Sequence, residues 1–294
     1  MMKKQSEAKK PSETKRKRSR FKKMELPDIV INILVTFGAI LNLFPLYWLV
    51  TSSFKTSAGI YKMPPDWFPK TFNFDNFQEL FVGQPAFRWA FNSIMVSLIS
   101  TLLVIACSSL AAYSFSKLKF RGSAVLYLVF ICSLMLPKEI FIVPLFKIVQ
   151  AFNWSDSYMG MVAPTVASCF GVFLLKGFFD AVPDSIRESG KIDGASEFSI
   201  FLRLVMPIVK PGIGALFILN FVNVWNDYLW QMLIARTKEM KTLMVGTASL
   251  MQEINPNFAY KMAGATVACI PMLIVFLLFQ RYFTSGITLG AEKG

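Results

Sequence analysis

Six long apolar runs alternate with polar segments along this chain, at roughly Ile29–Val50, Trp89–Tyr113, Ala124–Ile148, Tyr158–Phe179, Ile208–Leu233 and Ala263–Phe283. Each reaches the ~20 residues that a helix needs to cross the hydrocarbon core of a bilayer. They are too long and too uniform for barrel strands, so the backbone must satisfy its own hydrogen bonds within helices. The pattern predicts an all-α, polytopic membrane protein with six transmembrane helices.

Between the fourth and fifth runs the loop 180–207 contains a polar island, Glu188–Pro207, that is too large for a simple turn. Pro183, Asp184 and Ser185 start a first short helix, and Gly190 and Gly194 loosen and end it. Ser196 caps a second, whose apolar face carries Phe198, Phe201, Leu202 and Val205 up to Pro207. The small residues Ser189, Gly190, Gly194 and Ala195 let another backbone approach, and Glu188 offers a charge to a cationic partner or a helix N-terminus. Two readings fit: an amphipathic helix lying on the bilayer, or a docking surface for a partner.

Composition supports the membrane assignment. Of 294 residues, 54% are apolar and only 17% charged, with a mean hydropathy of +0.48. A soluble domain carries about a quarter charged residues. There is no histidine, which removes the commonest proton shuttle and metal ligand. Cys107, Cys132, Cys169 and Cys269 fall in predicted spans without CxxC spacing and read as small packing residues.

The net charge of +13 is concentrated at the start, where residues 3–23 hold eleven Lys or Arg. Residues 1–26 read as a disordered basic tail that meets anionic lipid rather than nucleic acid, because it leads directly into a span. A cleaved signal does not fit, since the charged part is long and no small-residue site follows the apolar run.

Short-loop cations set the orientation. They sit in Lys117-Leu118-Lys119-Phe120-Arg121, around the insert at Arg187, Lys191, Arg203 and Lys210, and near the end at Arg281 and Lys293. These segments and both termini are expected in the cytoplasm. The opposite loops are 52–88, interfacial in its prolines and aromatics, and 234–262, expected to form an exposed external finger despite Arg236, Lys238, Lys241 and Lys261. Residues 27–294 then make one six-span domain.

Several chemistries drop out. The sequence has no GxxxxGK[ST] loop, no GxSxG elbow and no cluster of metal ligands, so nucleotide binding of the P-loop kind has no place in it. The scarcity of carboxylates within the runs weakens a proton-coupled mechanism. In the fifth run Asn220, Asn223 and Asp227, spaced i, i+3, i+7, share a helix face, with Trp230 and Gln231 one turn on. Such groups either bond neighbouring helices or line a cavity. Lys138-Glu139, flanked by Pro137 and Pro144, marks a break with the pair buried or near the interface, or else a gate or cavity element. Ser93, Ser97 and Thr101 read as a packing seam.

Glu188-Ser189-Gly190, three residues, Gly194, nine residues and then Leu204-Val205-Met206-Pro207 resembles the EAA loop of ABC-importer permeases. Ser and Gly replace its two alanines, and Leu and Met its usual aliphatics before Pro. Pro45-Leu46-Tyr47-Trp48 through Ser53-Phe54-Lys55 resembles the first-span exit of sugar-importer permeases. Asn92-Ser93, Phe120-Arg121-Gly122, Leu136-Pro137, Val143-Pro144-Leu145, Ile192-Asp193-Gly194-Ala195 and the end from Gln280-Arg281-Tyr282-Phe283 through Gly286 and Gly290-Ala291 to Lys293-Gly294 are similar to the same group. The resemblance covers about residues 27–294 and is strongest to the smaller six-span partner of maltose-type carbohydrate permeases.

That resemblance implies a type I ABC importer permease (MetI-like) fold and a multi-pass subunit of the cell membrane. Its partners would be a second homologous permease, a cytoplasmic ABC ATPase dimer and an extracytoplasmic sugar-binding protein. ATP and Mg²⁺ would belong to the ATPase, and this chain would bind no cofactor and be no enzyme. Glu188, Ser189, Gly190, Asp193, Gly194, Ala195 and Pro207 would couple to the ATPase. Asn220, Asn223, Asp227 and Trp230 would border the path of a di- or oligosaccharide, and Gln252, Asn255 and Asn257 would touch the binding protein. Glycerol 3-phosphate or a polyol is the alternative cargo, and an autonomous secondary transporter the alternative class.

Overall fold

Helix α1 (Leu26–Ser53) opens the part of the chain described by this computed structural model, which covers residues 26–118, 120–252 and 257–291. The basic tail, Asn255 and the terminal Lys293-Gly294 lie outside the described residues. The chain divides into two compact units, residues 1–47 and 48–294. In the first, α1 presents Ile33, Leu34, Val35 and Phe37 outward, as a lipid-facing helix does. Its Asn42 amide donates to the Gly38 carbonyl at 2.8 Å, so the polar group is satisfied within its own helix.

In the second unit, α1 ends and is followed by α2 (Ser57–Ile60) and α3 (Asp75–Gly83). Helix α4 (Ala86–Lys117) then runs 32 residues without Gly or Pro, about 48 Å at 1.5 Å per residue. The predicted seam is real: Ser93, Ser97, Ser100 and Thr101 are buried on it. Small hydroxyl residues let α8, α12 and α14 pack closely against this helix.

The third, fourth and fifth runs are all bent, the third at the break expected beside Pro137. The third is α5 (Ser123–Ser133), a break, a 3₁₀ turn (Lys138–Phe141) and α6 (Ile142–Ala151), bent by 95°. Pro137 lacks an N–H and pushes the preceding residue out of helical geometry. The fourth is α7 (Tyr158–Val162), a 3₁₀ turn at Ala163–Thr165 and α8 (Cys169–Asp180), bent by 48° where Pro164 sits.

The insert forms α9 (Asp184–Ile192), a turn at Gly194 with φ +74°, and a second helix in three pieces: α10 (Glu197–Ser199), a π-helical stretch (Ile200–Val205) and α11 (Met206–Ile208). The Ser196 hydroxyl accepts from Ser199 N, the expected cap. Helix α12 (Lys210–Trp225) leaves this segment at 79° and stops well short of Leu233. Helices α13 (Leu229–Ile234), α14 (Leu243–Gln252) and α15 (Phe258–Ala291) complete the described chain. Among the described residues, three long helices, or up to six spans when each bent pair is counted as one, have the length and apolarity to cross a bilayer.

The core falls at three levels along α4. At the insert end Tyr113, Phe179, Ile200 and Phe201 pack together. Val96, Met161, Val224 and Trp230 form a second cluster, and Trp89, Trp225, Leu243 and Tyr260 a third.

Candidate functional site

Two places on this frame carry the chemistry: the insert, and a cavity bordered by the broken helices.

Within the insert, Glu188, Ser189, Asp193 and Gly194 are exposed, Ala195 is half-buried, and Pro207 is exposed at the end of the π-helical stretch. Gly190 departs from expectation. A β-carbon there would lie 2.9 Å from Ile200 Cγ1 and from Leu204 Cδ1, so its missing side chain admits the insert's own second helix rather than a partner. The buried face of that helix is also different. Ile200, Phe201 and Val205 are buried, while Phe198 and Leu202 point outward, because the π-helical stretch rotates the face away from ideal α periodicity.

Arg187, Lys117 and Asp184, read from the sequence only as orienting cations and a helix start, hold the insert in place together with Glu197, which the sequence reading passed over. Arg187 Nε donates to Glu197 Oε1 at 2.6 Å, and the Tyr113 hydroxyl on α4 donates to the same oxygen at 2.6 Å. The Arg187 hydrogen bond, against partial burial and with help from Tyr113 and Lys191, holds Glu197 below the usual carboxylate range. At the end of α4 the buried Lys117 ammonium donates to the Val182 carbonyl at 2.6 Å and to Asp184 at 2.8 Å. The DGASE segment carried one signal for this: an acid one residue after a Ser cap, ten positions beyond an arginine.

The second place is a cavity of about 430 Å³ whose wall includes Lys138, Glu139, Thr165, Ser168, Asn220, Asn223, Asn226, Asp227, Tyr228 and Trp230. Of the five residues singled out in the fifth run, four border it, although not on one helix, while Gln231 is buried outside its lining. Asn220 and Asn223 lie on α12, Asp227 lies in the break after Trp225, and Trp230 lies on α13. The i, i+3, i+7 spacing therefore fails at its last member.

Each residue has its own bonding state. Asn220 is half-buried and donates to Thr101 Oγ1 on α4 at 3.1 Å, so it ties helices together as well as bordering the cavity. Asn223 is exposed. Asp227 accepts from Trp230 N at 3.2 Å, starting α13, and stands 3.7 Å from the Lys138 ammonium. The indole N–H of Trp230 donates to Gly160 O at 3.1 Å, and the ring is 6% exposed, which leaves little of its face for a ligand. Lys138 and Glu139 are exposed cavity elements, not a buried pair. The proline breaks at 137 and 164 were the sequence signal for this wall.

The 234–262 segment is not an exposed finger. Asp156 takes the N–H groups of Arg236 and Thr237 at 2.8 and 3.0 Å. Burial opposes ionisation of Asp156, but these donors and the Thr237 hydroxyl outweigh it and lower its pKa. Trp89 Nε1 donates to Lys238 O at 2.7 Å, Asn92 Nδ2 to Glu239 O at 2.7 Å, and Leu243 N to Ser93 Oγ at 2.8 Å. Helix α14 is packed so tightly that a β-carbon on Gly246 would lie 2.2 Å from Trp89 Cε3. Asn257 is part of a junction, accepting from Ser57 Oγ at 2.7 Å and from Tyr260 N at 3.1 Å. Gln252 is exposed.

Comparison with known proteins accounts for the arrangement. The arabinooligosaccharides transport system permease protein AraQ of Bacillus subtilis is 35% identical over 269 residues, covering 90% of this chain and 96% of that protein. The lactose transport system permease protein LacG of Rhizobium radiobacter is 30% identical over 270 residues, covering 91% and 97%. A solved bacterial ABC transporter involved in the import of the acidic polysaccharide alginate has the same fold, with a TM-score of 0.79 at 20% identity over 87% of this chain and 95% of that one. Residues 104–289 match the family described as binding-protein-dependent transport system inner membrane component. The chain is thus a multi-pass membrane permease and belongs to that family.

Proposed function

We propose that this chain is the membrane subunit of an ATP-driven importer for a di- or oligosaccharide. The observation that carries the cargo class is the cavity wall, where the amides of Asn220, Asn223 and Asn226 and the hydroxyls of Thr165, Ser168 and Tyr228 converge. Neutral donors and acceptors of this kind match the hydroxyls of a sugar. Lys138 is the one cation among the lining residues and stands beside Asp227, which disfavours a phosphate ester. The relatives named for arabinooligosaccharides and lactose support the same class.

In this reading the chain pairs with a second permease, and a sugar-binding protein delivers cargo on the face opposite the insert. The insert and both termini are cytoplasmic. Nucleotide and Mg²⁺ chemistry belong to a separate ATPase dimer that seats the exposed edge of α9, with Glu188, Ser189, Asp193 and Gly194 in contact. Gly190 and Ala195 act from inside, shaping the insert, and the exposed Pro207 ends it. The ties of Lys117 and Tyr113 to this segment give α4 a grip on it, so a push on the insert moves the helix to which Asn220 and Thr165 of the cavity wall are bonded. On the opposite face Gln252 is the contact retained from the sequence reading, with Asn255 beside it in the chain.

The test is reconstitution with an ABC ATPase, a second permease and a sugar-binding protein from the same organism, measuring uptake of labelled arabinotriose, lactose and glycerol 3-phosphate. ATP-dependent sugar uptake supports the reading. Uptake without ATPase, or of glycerol 3-phosphate in preference to sugars, overturns it.

A further inference from the structure

We infer that the segment Tyr61–Phe74 is an interfacial arm, lying in the headgroup layer of the bilayer at the level where the first and last spans end. This goes beyond transport and concerns how the permease is held at its membrane boundary.

Two independent sets of contacts fix the segment's depth. At its base, Phe54, just past the end of α1, packs edge-on against Phe72 and Phe74 with ring centroids 5.6 and 5.4 Å away. Asn76 donates to the carbonyls of Ser53 and Lys55, both at 2.9 Å, and Asn73 N donates to Phe54 O at 2.9 Å. Trp67 stands edge-on to Trp48 at 6.1 Å, while Lys55 Nζ lies 4.1 Å from the centre of that ring. Trp48 follows about 20 residues of α1, the length that crosses the hydrocarbon core, so it marks the boundary.

The second set comes from the other side of the unit. Ser57 Oγ donates to Asn257 Oδ1 at 2.7 Å, and Tyr61 packs on Phe258, the first residue of α15, at 6.1 Å. The segment is therefore tied to the terminus of one span and the start of another, and cannot stand far out in water.

Its outward chemistry suits that depth. Met63 is 90% exposed, and Tyr61, Trp67, Phe68, Phe72 and Phe74 are each more than half exposed. Six large apolar side chains within fourteen residues form a patch that water-facing loops do not carry. Aromatics with a polar edge, prolines without N–H groups and lysines that reach upward belong at the headgroup level. Lys62 and Lys70 share the single carboxylate of Asp66, at 3.2 and 3.9 Å, leaving one net positive charge for lipid phosphate.

The experiment uses the full chain with its four cysteines replaced by alanine, in vesicles of phosphatidylethanolamine and phosphatidylglycerol. A nitroxide is placed on Met63→Cys, with Leu34→Cys as the lipid reference and Ile192→Cys as the aqueous one. The expected result at 63 is loss of access to an aqueous nickel chelate relative to 192, with oxygen access retained as at 34. Nickel access equal to that at 192 overturns the proposal in favour of a water-exposed loop. Loss of access to both reagents overturns it in favour of a protein partner. Should the cysteine-free chain fail to insert, a photoreactive benzoylphenylalanine at position 72 of the native-cysteine chain decides the matter: a lipid adduct supports the arm, and a protein adduct sinks it.

Discussion

Arg187 and Glu197 face one another across the Gly194 turn, Nε to Oε1 at 2.6 Å, closing the two helices of the insert on each other. The same carboxylate reaches Tyr113 on α4. One acid thus joins the two helices of the insert and adds to the tie that Lys117 makes with Asp184, while Glu188 is left exposed at the surface.

This clasp predicts a pH dependence. The folded pKa of Glu197 is lowered, first by its hydrogen bond to Arg187. Its contribution is therefore fully present above the unfolded carboxylate value of ~4.3 and is lost as pH falls through the folded value. Arg187 stays charged throughout this range. Protease cleavage of the insert in vesicles should rise as pH drops below ~4. Glu197→Gln should raise cleavage about fivefold at neutral pH, the effect of ~1 kcal/mol for a solvent-screened pair, and flatten the profile. A wild-type chain with a flat profile contradicts the assignment.

Gly246 and Gly190 should respond differently to alanine. At 246 the new carbon meets the Trp89 ring, which Nε1 pins to Lys238 O. The ring cannot yield without giving up that bond, so G246A should cost ~1–3 kcal/mol, read as a lower Tm in detergent. At 190 the new carbon meets Ile200 Cγ1 and Leu204 Cδ1, both at 2.9 Å, aliphatic groups that hold no hydrogen bond, and Leu204 is 38% exposed and free to turn outward. G190A should move Tm much less, and equal shifts at the two sites would refute this.

Asn220 and Asn223 separate packing from cargo contact. Asn220→Ala loses the bond to Thr101 and should cost ~0.6–2 kcal/mol of stability. Asn223→Ala should leave Tm unchanged and raise the KM for sugar uptake about tenfold, as loss of one or two hydrogen bonds of ~1 kcal/mol does. If both variants lowered Tm and neither changed KM, the cavity would not be the cargo path.

Lys138 and Asp227 join two breaks in different spans at 3.7 Å, with Lys138 63% and Asp227 13% exposed. The exposed ammonium limits their coupling to ~0.5–1 kcal/mol in a double-mutant cycle of Lys138→Met and Asp227→Asn. Asp227→Ala should cost ~1 kcal/mol more than Asp227→Asn, since the amide can still accept from Trp230 N. Equal stability of the Ala and Asn variants would show that the start of α13 does not depend on that bond.

Much of the insert was legible because its signals are local. Ser196 caps through a hydroxyl three residues from its donor, and Gly194 adopts a positive φ that other side chains resist. The break of the third span was legible from Pro137, but its 95° angle was not, because hydropathy reports transfer energy and is blind to backbone direction. The 234–262 segment was misread for another reason. Its ten-residue helix α14 is too short to span and sits between polar stretches, so it passes for a loop. What buries it is Trp89, whose bond to Lys238 O joins positions 149 residues apart.

From the sequence alone came the helical membrane class, the number of apolar runs, the polar insert and the family resemblance, since each rests on composition, period or short spacing. Only the tertiary structure decided how sharply the spans bend, which acid clasps the insert and which polar side chains share a cavity. Those outcomes depend on groups far apart in the chain being brought within about 3 Å, the range at which a hydrogen bond forms. Hydrophobic patterning constrains which face is buried but does not choose the partner that the face meets.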